Sequence, residues 1–172
     1  ALKGLICTSS QGLHLACFHY DPEDGSGVKR LLAILSFLVN DYHYIILDLP
    51  ALMDRVIFDI LNQSDLIHVL TSPEPVDLKR TRHLIKRLEE EFSFHKDKIK
   101  VIINEYKLSK LDYDEQVQIL NHDIFATLPK IDFESTDRIV LEQPDCEYAR
   151  AVRRIARQLT ECFVGLVLGV GF

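Results

Sequence analysis

Apolar residues recur along this chain with two alternating periods, which predicts strands and helices in turn. Short apolar runs that end on polar or turn-forming residues are typical of strands in a parallel sheet, whereas apolar positions spaced by three and four residues are typical of helices that cover a core. The predicted strands are 12–18, 42–50, 65–71, 100–104 and 123–129. The predicted helices are 28–39, 53–62, 77–92, 112–120 and 147–162.

Strands that alternate with helices need right-handed crossover connections, and these connections produce a mostly parallel sheet with helices on both faces. The sequence therefore predicts a three-layer α/β fold for residues 1–160. No repeat, low-complexity tract or long linker marks a domain boundary within that range.

Composition narrows the class of protein. The 172 residues are 47% hydrophobic and 27% charged, as in globular proteins. The net charge of −6 argues against a broad nucleic-acid-binding surface, so we expect no nucleic acid partner. The N-terminus lacks the pattern of a signal peptide, which predicts the cytoplasm. The four cysteines and seven histidines fall at no metal-ligand spacing.

The segment YHYIILDLP at 42–50 is the most informative stretch of the chain. It predicts a strand that is buried on both faces and ends near Asp48, at the edge where open α/β sheets form their ligand crevices. A carboxylate at such a position is suited to a magnesium ion beside bound phosphate. The structural alternative is that Asp48 caps the helix that follows.

Four motifs in sequence resemble the MinD/ParA group of P-loop ATPases. DLP at 48–50 resembles the end of the Walker B strand, and SDLIHVLTSPE at 64–74 resembles the strand after it. Asn104 and Pro129 stand where the next two strands of the family end. The resemblance implies that Asp48 holds magnesium through water, that Asn104 hydrogen-bonds the adenine edge, and that Pro129 packs on the base with the loop after it. For Asn104 an ordinary turn residue remains the alternative.

The family's phosphate loop has no counterpart in these 172 residues. Neither Gly-X-X-X-X-Gly-Lys-Ser/Thr nor the variant with an additional Lys occurs. In the family, the strand that leads into this loop lies in the middle of the sheet. The chain is then either an N-terminally incomplete part of a longer protein or a degenerate domain that has rebuilt its sheet. ATP and magnesium are expected only if the missing segment is supplied, and no catalytic residue is assigned.

The last residues carry a second resemblance. ARAVRRIARQLT at 149–160 and VGLVLGVGF at 164–172 are similar to the opening of patatin-like phospholipases of the neuropathy-target-esterase type, whose glycine-rich loop would stabilise an oxyanion. Gly169 and Gly171 match that loop, but Val170 departs from it, and the chain has no Gly-X-Ser-X-Gly elbow. Residues 161–172 are interpreted as the start of a patatin-like domain, with strand partners beyond residue 172, or as an apolar strand or tail.

Two functions of different class follow. The first is a regulatory or scaffolding MinD-like module of a longer patatin-like lipid hydrolase, with no complete active site in this chain. The second is a truncated MinD/ParA-type ATPase for cellular positioning or pilus assembly. The expected partner is the downstream hydrolase domain or a second copy in a dimer. The helices at 77–92 and 147–162 carry basic residues. These residues also predict peripheral contact with an anionic membrane at its inner face.

Overall fold

The computed structural model describes residues 6–9, 12–17, 25–50, 54–106, 110–131, 139–162 and 165–171. The strands in these ranges are β1 Ile6–Thr8, β2 His14–Ala16, β3 Tyr44–Leu49, β4 Leu66–Thr71, β5 Ile99–Asn104, β6 Ile124–Leu128 and β7 Gly165–Gly171. The helices are α1 Gly25–Leu38, α2 Arg55–Asn62, α3 Pro75–Glu90, α4 Tyr113–Leu120, α5 Ile139–Glu142 and α6 Glu147–Cys162. A 3-10 turn, Lys96–Lys98, precedes β5.

Five strands form one parallel sheet in the order β3-β7-β4-β5-β6. Helices pack on both of its faces, so the predicted three-layer α/β fold is confirmed. The predicted strand at 12–18 has a different place: its described part, β2, pairs antiparallel with β1 in a separate two-stranded sheet. Leu13 and Leu15 are exposed there, so this short strand lacks the buried apolar face that a central position would need.

Alternate residues of the central strands divide the core into two clusters. Ile67 and Val69 of β4 lie in the larger cluster, together with buried residues of α2 and α3. Ile102 of β5 lies in the smaller one, with Ala151 and Ile155 of α6. Since neighbouring strand residues point to opposite faces, α3 and α6 cover opposite sides of the sheet.

The two basic helices therefore cannot form one continuous basic surface. On α3, Lys86 and Arg87 pair with acidic side chains one turn later, at 3.7 and 3.3 Å. On α6, Arg150 and Arg154 are exposed on the other side of the sheet. None of the helices in the described ranges is both long and apolar enough to cross a bilayer. Contact with an anionic membrane and the cytoplasmic location stay predictions.

Short-range hydrogen bonds fix where the helices begin. Asp54 accepts the N–H of Ile57 at 2.9 Å and caps α2. Asp112 and Glu115 each accept the other's backbone N–H, at 2.8 and 2.9 Å, and form a capping box at α4. Pro75 occupies the first turn of α3, where its missing N–H has no intrahelical partner to lose.

β7 is an interior strand of the sheet, paired with β3 on one side and β4 on the other. This corrects the expectation that its strand partners lie beyond residue 172. The physical reason is that residues 165–171 carry no charge, so the strand can insert between two apolar strands. Residues 165–171 thus belong to the same sheet as residues 44–128.

β3 differs from the prediction that it is buried on both faces. Ile45, Leu47 and Leu49 pack against the larger core cluster, but on the other face Tyr44 is 37% exposed and Ile46 is 70% exposed. The apolar stripe of α6 contacts β4, β5 and β6. In the described part of the chain, the β3 end of that face is therefore left open to solvent.

Candidate functional site

The three predicted site residues lie toward the carboxyl ends of their strands. Asp48 is the penultimate residue of β3, Asn104 ends β5, and Pro129 directly follows β6. Asn104 pairs with Leu128, so Asn104 and Pro129 are neighbours across two strands. The side chains of Asp48 and Asn104 are exposed, whereas Pro129 is buried.

The structure does not bring Asp48 into contact with Asn104. The strand register aligns Asp48 with Lys100 through β7 and β4, and Asn104 lies four residues further along β5, since 104 − 100 = 4. Three strand spacings sideways and four residues along give a separation of roughly 20 Å. The two residues thus share an edge of the sheet but not a single contact site.

The backbone turns sharply after Asn104. Glu105, the next residue, adopts a left-handed conformation with φ 58°, which is unusual for a residue with a side chain. Such conformations cost on the order of 1–3 kcal/mol and recur at ligand sites and tight turns. The turn leaves Asn104 exposed at the end of the strand.

A hydrogen-bonded clamp holds the junction between β4 and α3. The Ser72 hydroxyl accepts the N–H of Glu74 at 3.2 Å and donates to Asp77 Oδ2 at 2.6 Å. Arg80 donates to the other oxygen of Asp77 at 3.2 Å. The motif that suggested a family resemblance thus has a structural role, because it fixes the chain beside the end of β7.

A polar row crosses the face of the sheet that α6 partly covers. The strand register places Asp48, Gly169, His68 and Lys100 side by side on four neighbouring strands. Gly169 has no side chain, so the row has a gap between Asp48 and His68. This row was not predicted from the sequence, because the alignment of Asp48 with His68 depends on β7 lying between their strands.

His68 is the buried member of this row. It is only 7% exposed, and within the described part of the chain its Nε2 atom has no hydrogen-bond partner. Its ring lies 5.7 Å from the ring of Phe125, and Lys100 Nζ lies 5.9 Å from that same ring. Burial, aided by the positive charge of Lys100, lowers the pKa of His68 from 6.5 to about 4. His68 is therefore neutral at pH 7.

We expect the stability of the chain to fall between pH 6.5 and pH 4 because of His68. In this window the unfolded state binds a proton that the folded state does not, so the free energy of unfolding rises with pH. The free energy of unfolding should fall by about 3 kcal/mol in total as the pH falls from the pKa of the unfolded state through the pKa of the folded state. Urea unfolding of His68→Leu should show a flatter pH dependence across this range. His83→Leu, at an exposed position on α3, is the matched control. An unchanged pH dependence in His68→Leu would contradict the assignment.

A cleft of about 850 Å³ opens at the other edge of the sheet, away from the predicted site residues. Lys96, Asp97, Lys100, His122 and Asp123 line it. Since these charges have both signs, the cleft favours no class of ligand. No group of three or more His, Cys, Asp or Glu side chains in the described ranges is arranged to hold a metal ion.

These residues do not make a complete site for a nucleotide and magnesium. Asp48 supplies one carboxylate, and Asn104 supplies one amide at a separation of roughly 20 Å from it. Pro129 is buried. A magnesium ion in such sites is held by one or two carboxylates together with the substrate phosphates. The sequence offers no lysine-bearing glycine loop for those phosphates, so no chemical step is assigned to a nucleotide here.

The fold is similar to that of a known class of proteins. The crystal structure of a ParA family ATPase from Chlorobium tepidum TLS matches with a TM-score of 0.79 and 22% sequence identity. The match covers 92% of this chain and 69% of that chain. No protein family profile and no curated protein sequence matches. The chain therefore has the α/β fold of ParA-like P-loop NTPases. At this identity the likeness shows the fold and not the chemistry.

Proposed function

We propose that this chain is a regulatory or scaffolding module with a ParA-like fold that does not hydrolyse ATP by itself. One observation carries the proposal: β7 lies inside the sheet, between β3 and β4, and the resemblance places the strand before the phosphate loop in the middle of the sheet. β7 ends in Gly169-Val170-Gly171 and contains no lysine. Phosphoryl transfer depends on a cradle of backbone N–H groups and a cation around the transferred phosphate, and the 172 residues contain no glycine-rich loop with such a lysine.

Asp48, Asn104 and Pro129 keep a conditional role in this proposal. If a longer polypeptide supplies the phosphate loop, Asp48 would face the magnesium, and Asn104 would face the adenine. Pro129 would have to become accessible first, because it is buried. Without that loop, the three residues are the strand ends of a scaffold.

We expect this chain to release phosphate from magnesium ATP no faster than a blank without protein. Asp48→Ala should leave that rate unchanged, as should Asp59→Ala, a control at an exposed position on α2. A large excess of magnesium ATP should leave the thermal midpoint unchanged, because a ligand that does not bind the folded state cannot stabilise it. Turnover that Asp48→Ala abolishes and Asp59→Ala preserves would overturn the proposal.

The connection to a patatin-like lipid hydrolase rests on residues 149–172 of the sequence. The pairing of β7 competes with it, since one strand cannot serve both this sheet and the sheet of a following domain. The alternative function is a truncated ATPase for cellular positioning or pilus assembly, and the structural similarity to a ParA family ATPase supports it at the level of the fold. The reading frame after residue 172 separates the two: a Gly-X-Ser-X-Gly elbow would favour the hydrolase.

A further inference from the structure

The outer face of α6 carries a stripe of arginines. The arginine stripe consists of Arg150, Arg153, Arg154 and Arg157, which are spaced by three and four residues and are all exposed. It is about 10 Å long, because a helix rises about 1.5 Å per residue. No acidic residue occurs between positions 148 and 158, so no carboxylate interrupts it. This face is therefore positive, on a chain whose net charge is −6.

Carboxylates neutralise basic residues on α3 but not on this part of α6. On α3, three basic side chains lie 3.2–3.7 Å from carboxylates of the same helix. No ion pair among the described residues involves Arg150, Arg153 or Arg154. The Nε atom of Arg153 donates to the carbonyl of Ala149 at 3.3 Å, which orients this side chain along the helix. The guanidinium groups of these arginines are thus available to a partner.

The arginine stripe does not serve the stability of α6 itself. The helix dipole favours anions in the first turn of a helix and cations in the last turn. Arg150 lies at the end of the first turn of α6, and the last turn carries no basic residue. The helix is held on the sheet by its other side, where Val152, Ile155 and Leu159 pack in the smaller core cluster. Neither packing nor the helix dipole accounts for the arginines.

We propose that the arginine stripe of α6 binds an acidic protein segment, namely a helix whose glutamate or aspartate side chains recur at the same spacing. Each guanidinium can form two parallel hydrogen bonds to one carboxylate. Side chains spaced by three and four residues lie on one face of a helix, so several such pairs can form together. This proposal goes beyond the nucleotide question, because it gives the module a partner of stated chemistry and uses none of the strand-end residues.

Two features favour an acidic segment over an extended phosphate surface. Helices that lie on a membrane anchor in it with exposed apolar side chains. None of the large apolar side chains that are exposed in the described ranges belongs to α6. A membrane or a nucleic acid duplex also presents a broad negative field, which repels a chain with a net charge of −6. A short acidic segment meets only the local positive charge of the stripe.

Fluorescence anisotropy of the full chain with a labelled helical peptide of repeated Glu-Ala-Ala-Ala tests this proposal. The measurement uses about 0.1 M salt, which screens charges more than roughly 10 Å apart. The peptide should bind saturably, whereas the same peptide with glutamine in place of glutamate should not. Arg150→Gln combined with Arg154→Gln should weaken binding about tenfold or more, because two charge-assisted contacts are lost.

Lys79→Gln combined with Arg82→Gln is the matched control. It removes the same charge from exposed positions of α3, on the other side of the sheet, and should change the affinity less than about twofold. Circular dichroism should show the same fold for both double variants, because all four positions are exposed. Three results would overturn the proposal: no saturable binding of the glutamate peptide, an equal loss in the α3 control, or tighter binding to phosphatidylserine vesicles or duplex DNA that the α6 variant loses.

Discussion

A chain that ends at Cys162 should lose the cooperative thermal unfolding transition of the full 172-residue chain. The truncation removes β7, which pairs with β3 on one side and β4 on the other. The remaining strands would be left about 10 Å apart, twice the normal strand spacing, and both would lose a row of hydrogen bonds. Each such bond is worth roughly 0.5–1.5 kcal/mol, so the loss is comparable with the whole stability of a domain. The interpretation of residues 161–172 as the start of another domain implied the opposite for a chain that ends at Thr160, namely a stability at least equal to that of the full chain.

Circular dichroism on heating measures this effect, and a pair of proline variants isolates it. Leu168→Pro removes an N–H from the interior strand β7 and should destabilise the chain severely. Leu15→Pro makes the same change in the small β1–β2 sheet, at a 58% exposed position, and should cost far less. An unchanged midpoint in the truncated chain would return support to the interpretation of residues 161–172 as the opening of another domain.

Val69→Asp should unfold the chain at room temperature. Val69 is fully buried in β4, between β7 and β5 and beneath the helices of the larger core cluster. An unpaired carboxylate there costs several kcal/mol, against a total stability of about 5–15 kcal/mol for a domain. The expected result is loss of the folded far-ultraviolet spectrum or insoluble protein.

Ile46→Asp is the matched control on the parallel strand β3. The same charge at this 70% exposed position stays in water, so the fold should persist. The predicted burial of this strand on both faces implied instead that Ile46→Asp would unfold the domain as Val69→Asp does. A soluble Val69→Asp chain with an unchanged thermal midpoint would show that β4 is not in the core.

Local patterns of the sequence predicted most of the elements. α6 spans Glu147–Cys162, as predicted, because Val152, Ile155 and Leu159 recur at helical spacing and pack in the smaller core cluster against the sheet. The predicted helices at 28–39 and 77–92 also formed, within a few residues at each end. The spacing of apolar residues reflects which face of a helix or strand is covered. This information is contained in the sequence of that element alone.

The order of strands in a sheet depends on contacts between distant parts of the chain. The differences between the predicted and the observed fold arise there. An uncharged run such as 165–171 fits the centre of this sheet as well as the start of another, and only the pairing decides between them. For the same reason, the open face of Ile46 was not predicted: an apolar strand looks buried on both faces until the helix that should cover it is located.

The same distinction between local patterns and strand order applies to the candidate site. The positions of Asp48 and Asn104 toward the carboxyl ends of β3 and β5 followed from the ends of the apolar runs. Their separation did not, because it depends on the two strands that lie between β3 and β5. His68 drew no attention in the sequence, where a lone histidine on an apolar strand has no ligand pattern around it.

Amide hydrogen exchange of the full chain tests most directly whether β7 completes a ParA-like sheet. The amides of residues 165–171 should be protected as strongly as those of 66–71 in β4, and low denaturant should release both together, since they share one ladder. Exchange of 165–171 at the rate of an unfolded chain, while 66–71 stays protected, would contradict the account.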